Sequence, residues 1–132
     1  MDETLRQLVW QRAGNACEYC HIPQQFDVLP FQIDHIIAEK HHGPTVEDNL
    51  ALSCYADNAY KGPNIAGIDS LTGQLTRLFH PRQDEWGAHF EWNGPVVLGR
   101  TAIDRTTIDV LKINLLERVE HRQLLVTGGI LL

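Results

Sequence analysis

The sequence predicts a small α+β protein, and three observations support this class. The chain has 132 residues, a length that suits one domain with a modest core. Hydrophobic residues make up 43% and charged residues 21%, as in globular chains and unlike disordered ones. Apolar residues follow helical spacing near both ends, whereas the middle holds short β-type runs between turn residues. We therefore expect a single domain over residues 1–132.

The N-terminal half predicts a helix, a hairpin and a second helix. Apolar residues recur at helical spacing over residues 4–13. Residues 26–37 are rich in β-branched and aromatic side chains, so we expect a strand or hairpin arm there. Residues 49–54 form the returning arm. Ser53 is the expected N-cap of a helix over residues 55–61.

The C-terminal half predicts two further hairpins followed by helices. Turn residues lie inside the runs 68–75 and 90–97, and Asn93-Gly94 is the expected tight turn of the second run. From residue 104 to residue 125 the apolar spacing becomes helical again. Asn114 is the expected break between two helices in that stretch.

Composition also limits the class of function. The formal net charge of −6 argues against a passive coat on nucleic acid, although a bound divalent cation can reverse the local potential of a site. The apolar runs are short and the N-terminal stretch is acidic and polar, so we expect no membrane span, no signal peptide and a cytoplasmic location. Three cysteines, in a reducing compartment, point to metal binding or burial in preference to a disulfide framework.

Polar residues with complementary chemistry lie along the predicted hairpin and the helix after it. Asp34 and His35 end the first arm, Asn49 begins the second, and Asn58 lies in the helix. A hairpin brings its arms together, so these side chains are expected to converge. Asp34 and Asn58 offer hard oxygen ligands that suit Mg²⁺ or Mn²⁺. His35 can act as a general base near neutral pH, and a metal beside it completes a minimal phosphodiester hydrolase.

The order and spacing of these motifs resemble the HNH endonucleases, in particular small stand-alone prokaryotic members. The matching pieces are CEYC (17–20), IDHI (33–36), Gly43-Pro44, DNLAL (48–52) and Cys54-x-x-Asp57-Asn58-x-x-Lys61-Gly62. The resemblance implies a ββα-metal (His-Me finger) core over about residues 15–63. Residues 64–132 would then form an accessory C-terminal region of a hairpin plus helices.

The resemblance also implies roles for individual residues. His35 would be the general base, while Asp34 and Asn58 would bind one catalytic divalent ion. Asn49 would hold the loop and help to orient His35. With Asn58 in the last motif position the chain would be an H-N-N variant. Asparagine is a weaker ligand than histidine for soft metals, which favours Mg²⁺ or Mn²⁺.

In many HNH proteins two CxxC pairs hold a structural zinc ion. Here the corresponding positions are Cys17, Cys20, Cys54 and Asp57, so the second pair has lost one cysteine. The sequence leaves three arrangements of this segment open. The four residues form a Cys₃Asp zinc site, His21 replaces Asp57 as the fourth ligand, or packing holds the segment without a metal.

Three basic residues are candidate substrate contacts. Lys61 lies at the end of the predicted helix, where it either complements the helix dipole or contacts a phosphate. His80 and Arg82 flank Pro81 in a turn, and the arginine guanidinium suits phosphate geometry.

The expected function is metal-dependent hydrolysis of DNA phosphodiester bonds. The acidic net charge predicts weak DNA binding, with a homodimer or a partner protein supplying affinity. One alternative is a non-catalytic zinc-ribbon-like module that binds nucleic acid or protein. Another is a hydrolase with Cys54 as nucleophile, an idea that no motif supports.

Overall fold

A computed structural model describes residues 1–130, and it confirms the α+β class. The elements are α1 (Glu3–Ala13), β1 (Gln32–His35), β2 (Leu50–Ser53), α2 (Tyr55–Lys61), β3 (Ala66–Ile68), β4 (Leu75–Arg77), α3 (Trp86–His89), β5 (Phe90–Asn93), β6 (Val96–Gly99), α4 (Ala102–Val110) and α5 (Leu116–Thr127). Across residues 1–130, each helix is too short or too polar to cross a bilayer.

The described chain divides into two compact units. The first unit comprises residues 1–65 and 80–83, and the second comprises residues 66–79 and 84–130. The single domain expected over residues 1–132 stays a prediction, and its last two residues lie outside the described part.

In the first unit, α1 packs against β2. The helix begins where the Asp2 carboxylate accepts a hydrogen bond from the Leu5 amide at 2.8 Å. It ends at Gly14, whose φ of +64° is the left-handed conformation that favours glycine. Trp10 stacks on Phe31 with ring centroids 6.3 Å apart, which adds to the apolar interior of this unit.

Strands β1 and β2 form the predicted hairpin, and α2 packs against β1. The antiparallel register runs from Gln32 opposite Ser53 to His35 opposite Leu50. The first arm is shorter than the predicted 26–37. Pro30 has no amide proton for a strand ladder, and the Phe31 amide donates to the Gln24 side chain at 2.9 Å.

The second unit contains the two predicted hairpins, β3 with β4 and β5 with β6, and α4 contacts β3, β4 and β6. The turn of the second hairpin lies one residue later than predicted, because Asn93 still pairs with Val96. Gly94 adopts a φ of +59° in that turn. The predicted helix break at Asn114 is present, and the Asn114 amide bonds to both backbone groups of Val97.

Candidate active site and metal centre

One shallow pocket in the first unit gathers the polar residues that end β1 and face it from α2. Its volume is about 230 Å³, and its polar lining consists of Asp34, His35, Glu39 and Asn58. The convergence follows from the fold, because the hairpin sets the end of β1 beside the helix that follows β2.

The His35 imidazole is held at its Nε2 atom. This nitrogen lies 2.8 Å from the Thr45 hydroxyl and 3.1 Å from a carboxylate oxygen of Glu39. The His35 side chain keeps a fifth of its surface exposed, so water and a substrate can reach it.

Asp34 is buried, and two other buried side chains contact its carboxylate. The Tyr19 hydroxyl donates to Oδ2 at 2.7 Å, and the Lys61 ammonium lies 3.1 Å from the same oxygen. The Lys61 contact to Oδ1 is longer, at 3.4 Å. A carboxylate has about four acceptor positions, so Oδ1 keeps capacity for a further ligand.

Burial dominates the electrostatics around Asp34. It raises the pKa of Asp34 above its ordinary value, while the Lys61 charge and the Tyr19 hydrogen bond lower it by less. Burial and the neighbouring Asp34 charge raise the pKa of Tyr19 well above its ordinary value, so Tyr19 remains a hydrogen-bond donor.

Lys61 is a buried cation that ties α2 to the end of β1. Besides Asp34, its ammonium donates to the backbone carbonyls of His35 at 3.3 Å and Ile36 at 3.0 Å. Only 2% of the side chain is exposed. Lys61 therefore has a structural role, which was one of the two alternatives that the sequence left open. Its contacts are with Asp34 and with the backbone carbonyls at the end of β1. The phosphate contact stays a prediction.

Asn49 holds the loop that follows β1. Its side-chain oxygen accepts from the Ile37 amide at 2.9 Å, and its nitrogen donates to the carbonyls of Ile37 and Pro44. Gly43 is required in this loop, since a Cβ atom there would lie 1.7 Å from the Ile37 carbonyl oxygen. The loop therefore has a defined path back to β2.

Asn58 lies on α2 and lines the same pocket. Its amide nitrogen donates to the Gln32 side-chain oxygen at 2.5 Å. This bond orients the amide so that the Asn58 oxygen is the atom that remains to bind a cation.

A second cluster lies buried in the same unit. The sulfur atoms of Cys17, Cys20 and Cys54 and a carboxylate oxygen of Asp57 all lie within 4.8 Å of one another. The Cys20 and Cys54 sulfurs are 3.8 Å apart, well beyond the roughly 2.05 Å of a disulfide bond. Tetrahedral zinc with Zn–S bonds of about 2.3 Å requires sulfurs about 3.8 Å apart, so the donor set fits such an ion.

The local structure explains how Asp57 joins the three cysteines. Cys54, not the predicted Ser53, is the N-cap of α2, and its sulfur accepts from the Asp57 amide at 3.4 Å. The first turn of the helix then brings the Asp57 carboxylate to 3.1 Å from the Cys17 sulfur. Asp57 and His21 were the two candidates for the fourth metal ligand. Within the described chain, Asp57 lies in the group with the three cysteines and His21 does not.

The thiols of the cluster resist ionisation. Burial, followed by hydrogen bonds with Cys20 and Cys54, raises the pKa of Cys17 well above its ordinary value. A hydrogen bond with Cys17 lowers the pKa of Cys54, but the bond with Cys20 and burial outweigh it, and the net direction is upward. A divalent cation bound at this cluster would favour the thiolate forms of Cys17 and Cys54, because it would offset the cost of ionising these buried thiols.

His80 and Arg82 belong to the first unit but not to the polar lining of the pocket among residues 1–130. The Arg82 guanidinium pairs with the Glu18 carboxylate, which also accepts from the Leu52 amide. Burial, with a smaller effect of Arg12, lowers the pKa of Arg82 to about 10. Their predicted contacts with substrate stay predictions.

Comparison with known proteins adds one result. Residues 17–64 match the family model described as HNH endonuclease. This segment is therefore similar to the HNH endonucleases. The family match spans the pocket and the cysteine cluster, and it confirms the resemblance stated from the motifs. No curated protein and no solved structure was found to match the chain.

Three residues of the HNH segment have structural roles that the sequence analysis did not assign. Tyr19 lies inside the CEYC motif, yet nothing in that motif predicts its bond to Asp34. Glu39 follows His35 by four residues, and this spacing is a sequence feature that could have predicted the contact between their side chains. Thr45 lies in the polar loop, where no sequence pattern distinguishes it.

Proposed function

We propose that the chain is a metal-dependent endonuclease that hydrolyses DNA phosphodiester bonds. The observation that carries this proposal is the pocket itself. Within the segment that matches the HNH family, it sets a histidine beside an aspartate and an asparagine, which are hard oxygen donors. A general base beside a cation site is a combination that can hydrolyse phosphodiester bonds.

In the proposed mechanism His35 removes a proton from the attacking water. Asp34 and Asn58 would hold one divalent ion with their side-chain oxygens. When bound, Mg²⁺ or Mn²⁺ supplies stabilisation of the charge on the phosphate and on the leaving oxygen. Asn49 maintains the loop, and Lys61 with Tyr19 fixes the Asp34 carboxylate. The β1–β2–α2 arrangement would then be the ββα-metal core of the family.

We also propose that Cys17, Cys20, Cys54 and Asp57 hold a structural zinc ion. The donors are buried and their spacing fits tetrahedral coordination. Such an ion would join the turn at residues 17–20 to the start of α2. It would be separate from the ion at the pocket and would take no part in the cleavage step.

The test is nicking of supercoiled plasmid DNA with Mg²⁺ or Mn²⁺, beside EDTA and His35→Ala. We expect nicking that requires the metal and that falls by about 10²-fold or more in His35→Ala, the usual contribution of a general base. His121→Ala, a substitution in α5, is the matched control and should retain activity.

Two other results would replace this proposal. Folded wild-type protein that nicks no DNA with either metal would favour the non-catalytic interaction module. Nicking that survives EDTA but stops on alkylation of Cys54 would favour a thiol mechanism. Circular dichroism of each variant would establish that loss of activity is not loss of fold.

A further inference from the structure

We propose that Glu39 is a positioning residue that, together with Thr45, selects the tautomer of His35 and so makes Nδ1 the basic atom. The catalytic half of this inference rests on the proposed endonuclease function. The structural half concerns the imidazole alone and can be tested without activity.

The geometry places two oxygens at one nitrogen of the His35 ring. Nε2 lies 3.1 Å from a Glu39 carboxylate oxygen and 2.8 Å from the Thr45 hydroxyl. Glu39 begins the short 3-10 turn Glu39–His41, four residues after His35. Both partners therefore belong to the loop between β1 and β2.

The chemistry of the two oxygens decides where the proton lies. An ionised carboxylate accepts hydrogen bonds and cannot donate, whereas a threonine hydroxyl does either. A lone pair on Nε2 would lie 3.1 Å from the negative Glu39 carboxylate and be repelled by it, whereas a proton there is attracted to that charge and can be donated to the Thr45 hydroxyl. The neutral ring therefore carries its proton on Nε2, and Nδ1 carries the lone pair.

This assignment identifies the atom that would accept a proton from water. As the water oxygen bonds to phosphorus, one water proton passes to Nδ1 and the bond from phosphorus to the leaving oxygen breaks. The leaving oxygen takes a proton from solvent. His35 becomes an imidazolium whose Nε2 lies 3.1 Å from the Glu39 carboxylate oxygen, so the new charge is stabilised without transfer of the Nε2 proton.

The loop is held firmly enough for an exposed carboxylate to act in this way. The Glu39 side chain is 70% exposed, so the ion pair by itself would contribute little. However, Asn49 binds Ile37 on one side of Glu39 and Pro44 next to Thr45 on the other. The amides of His41 and Gly43 both donate to the Ala38 carbonyl. The backbone of both positioning residues is thus fixed.

The first experiment measures the tautomer by ¹⁵N NMR of the His35 imidazole at about pH 8, where an ordinary histidine is neutral. We expect a predominantly Nε2–H ring in the wild type and in Glu39→Gln, which keeps an acceptor oxygen. Glu39→Ala should shift the population toward Nδ1–H, and Glu39→Ala with Thr45→Val should shift it further. Glu47→Gln removes one charge from an exposed position of the same loop and is the matched control.

The second experiment measures nicking kinetics of the same variants. Glu39→Ala should lower kcat about five-fold, the equivalent of about 1 kcal/mol, with KM nearly unchanged. Glu39→Gln should recover part of the loss, and Glu47→Gln should match the wild type. An effect on KM alone would instead indicate that Glu39 acts on substrate binding, and would overturn the positioning role.

The two proposals fail in distinguishable ways. A tautomer population that is identical in the wild type and Glu39→Ala would overturn the inference, whatever the nuclease activity. A wild-type protein that nicks no DNA would overturn the proposed function, while the NMR comparison would still decide whether Glu39 selects the tautomer.

Discussion

Lys61 shows how much of the site depends on one buried charge. Its ammonium contacts the Asp34 carboxylate and two backbone carbonyls at the end of β1, and its side chain is almost inaccessible. Burying a lone charge is costly, whereas a hydrogen-bonded pair offsets most of that cost. The pair therefore sets the position of Asp34 more than it adds to stability.

We predict that Lys61→Met lowers the free energy of unfolding by about 3–5 kcal/mol, because it leaves the Asp34 carboxylate buried without its cation. Urea denaturation measures this change. Asp34→Asn combined with Lys61→Met should be less damaging than Lys61→Met alone, since the double variant contains no unpaired charge. Lys40→Met, at an exposed position, should change stability by less than about 0.5 kcal/mol.

At the scale of elements, the cysteine cluster brings together two segments that are distant along the chain. Cys17 and Cys20 lie on the turn after α1, and Cys54 and Asp57 lie at the start of α2. A bound ion would link these segments, so its binding energy would contribute to the folding energy.

We predict one zinc ion per chain and a lower unfolding temperature after chelation. Zinc affinity should fall as the pH falls, because the buried thiols must lose protons to bind the metal. Asp57→Cys should retain zinc against a chelator better than the wild type, and Asp57→Ala worse. Zinc content by mass spectrometry and thermal melting measure both effects. Equal zinc content in wild type and Asp57→Ala would remove Asp57 from the ligand set.

In the second unit, Asp69 links the turn of the β3–β4 hairpin to α4. Its carboxylate accepts two hydrogen bonds from the Arg105 guanidinium, at 2.9 and 3.0 Å, and others from Leu71 and Thr72. The Arg105 hydrogen bonds in particular hold the pKa of Asp69 well below its ordinary value.

This lowered pKa predicts the sign of a pH effect. A carboxylate that is more acidic in the folded state stabilises the fold above its unfolded pKa of about 3.9, and the contribution is lost as the pH falls through the folded value. Asp69→Asn should therefore be less stable than the wild type at neutral pH. In urea titrations the difference in stability should begin to shrink below about pH 4 and go on shrinking toward the folded pKa, and a difference that is constant with pH would contradict the assignment.

At the scale of the whole molecule, net charge would limit the affinity of the protein for DNA, the substrate in the proposed function. A net charge of −6 repels the negatively charged phosphate backbone of DNA. Release of the counterions around that backbone requires lysine or arginine side chains that contact the phosphates. Affinity would then come from the divalent ion at the pocket and from a second copy or a partner protein.

We predict weak DNA binding with a shallow salt dependence. A plot of log K against log salt should have a slope of smaller magnitude than about 3, equivalent to about three phosphates or fewer. Fluorescence anisotropy with Ca²⁺ in place of Mg²⁺ should measure binding without cleavage. A steep slope would instead indicate a basic DNA-binding surface, and light scattering of the same samples would show whether a second copy takes part.

Much of the site was predictable from residue types and their spacing. The hairpin and the following helix were predicted, and with them the convergence of His35 and Asn58 on one pocket. Asn49 was expected there too, but it bonds to the backbone of the loop and is not part of the pocket lining. Spacing also predicted the two local pairs, Cys17 with Cys20 and Cys54 with Asp57, because CxxC turns and the first turn of a helix have nearly fixed geometry. Local conformation largely determines such features, and local conformation is what a sequence pattern reports. The folded structure decided that the two pairs meet and that Asp57, not His21, belongs to the group.

Tertiary packing decided the rest. Whether Lys61 faced solvent or was buried against Asp34 depended on where α2 packed, and no local pattern encodes that contact. The N-cap of α2 is Cys54 and not the predicted Ser53, because the Cys54 sulfur accepts the hydrogen bond from the Asp57 amide. The partners of His35 were set by the path of a loop that Asn49 holds. The sequence by itself determined the chemical groups and their order along the chain. Only the folded structure determined which of them touch, because burial and side-chain contact depend on residues distant in the chain.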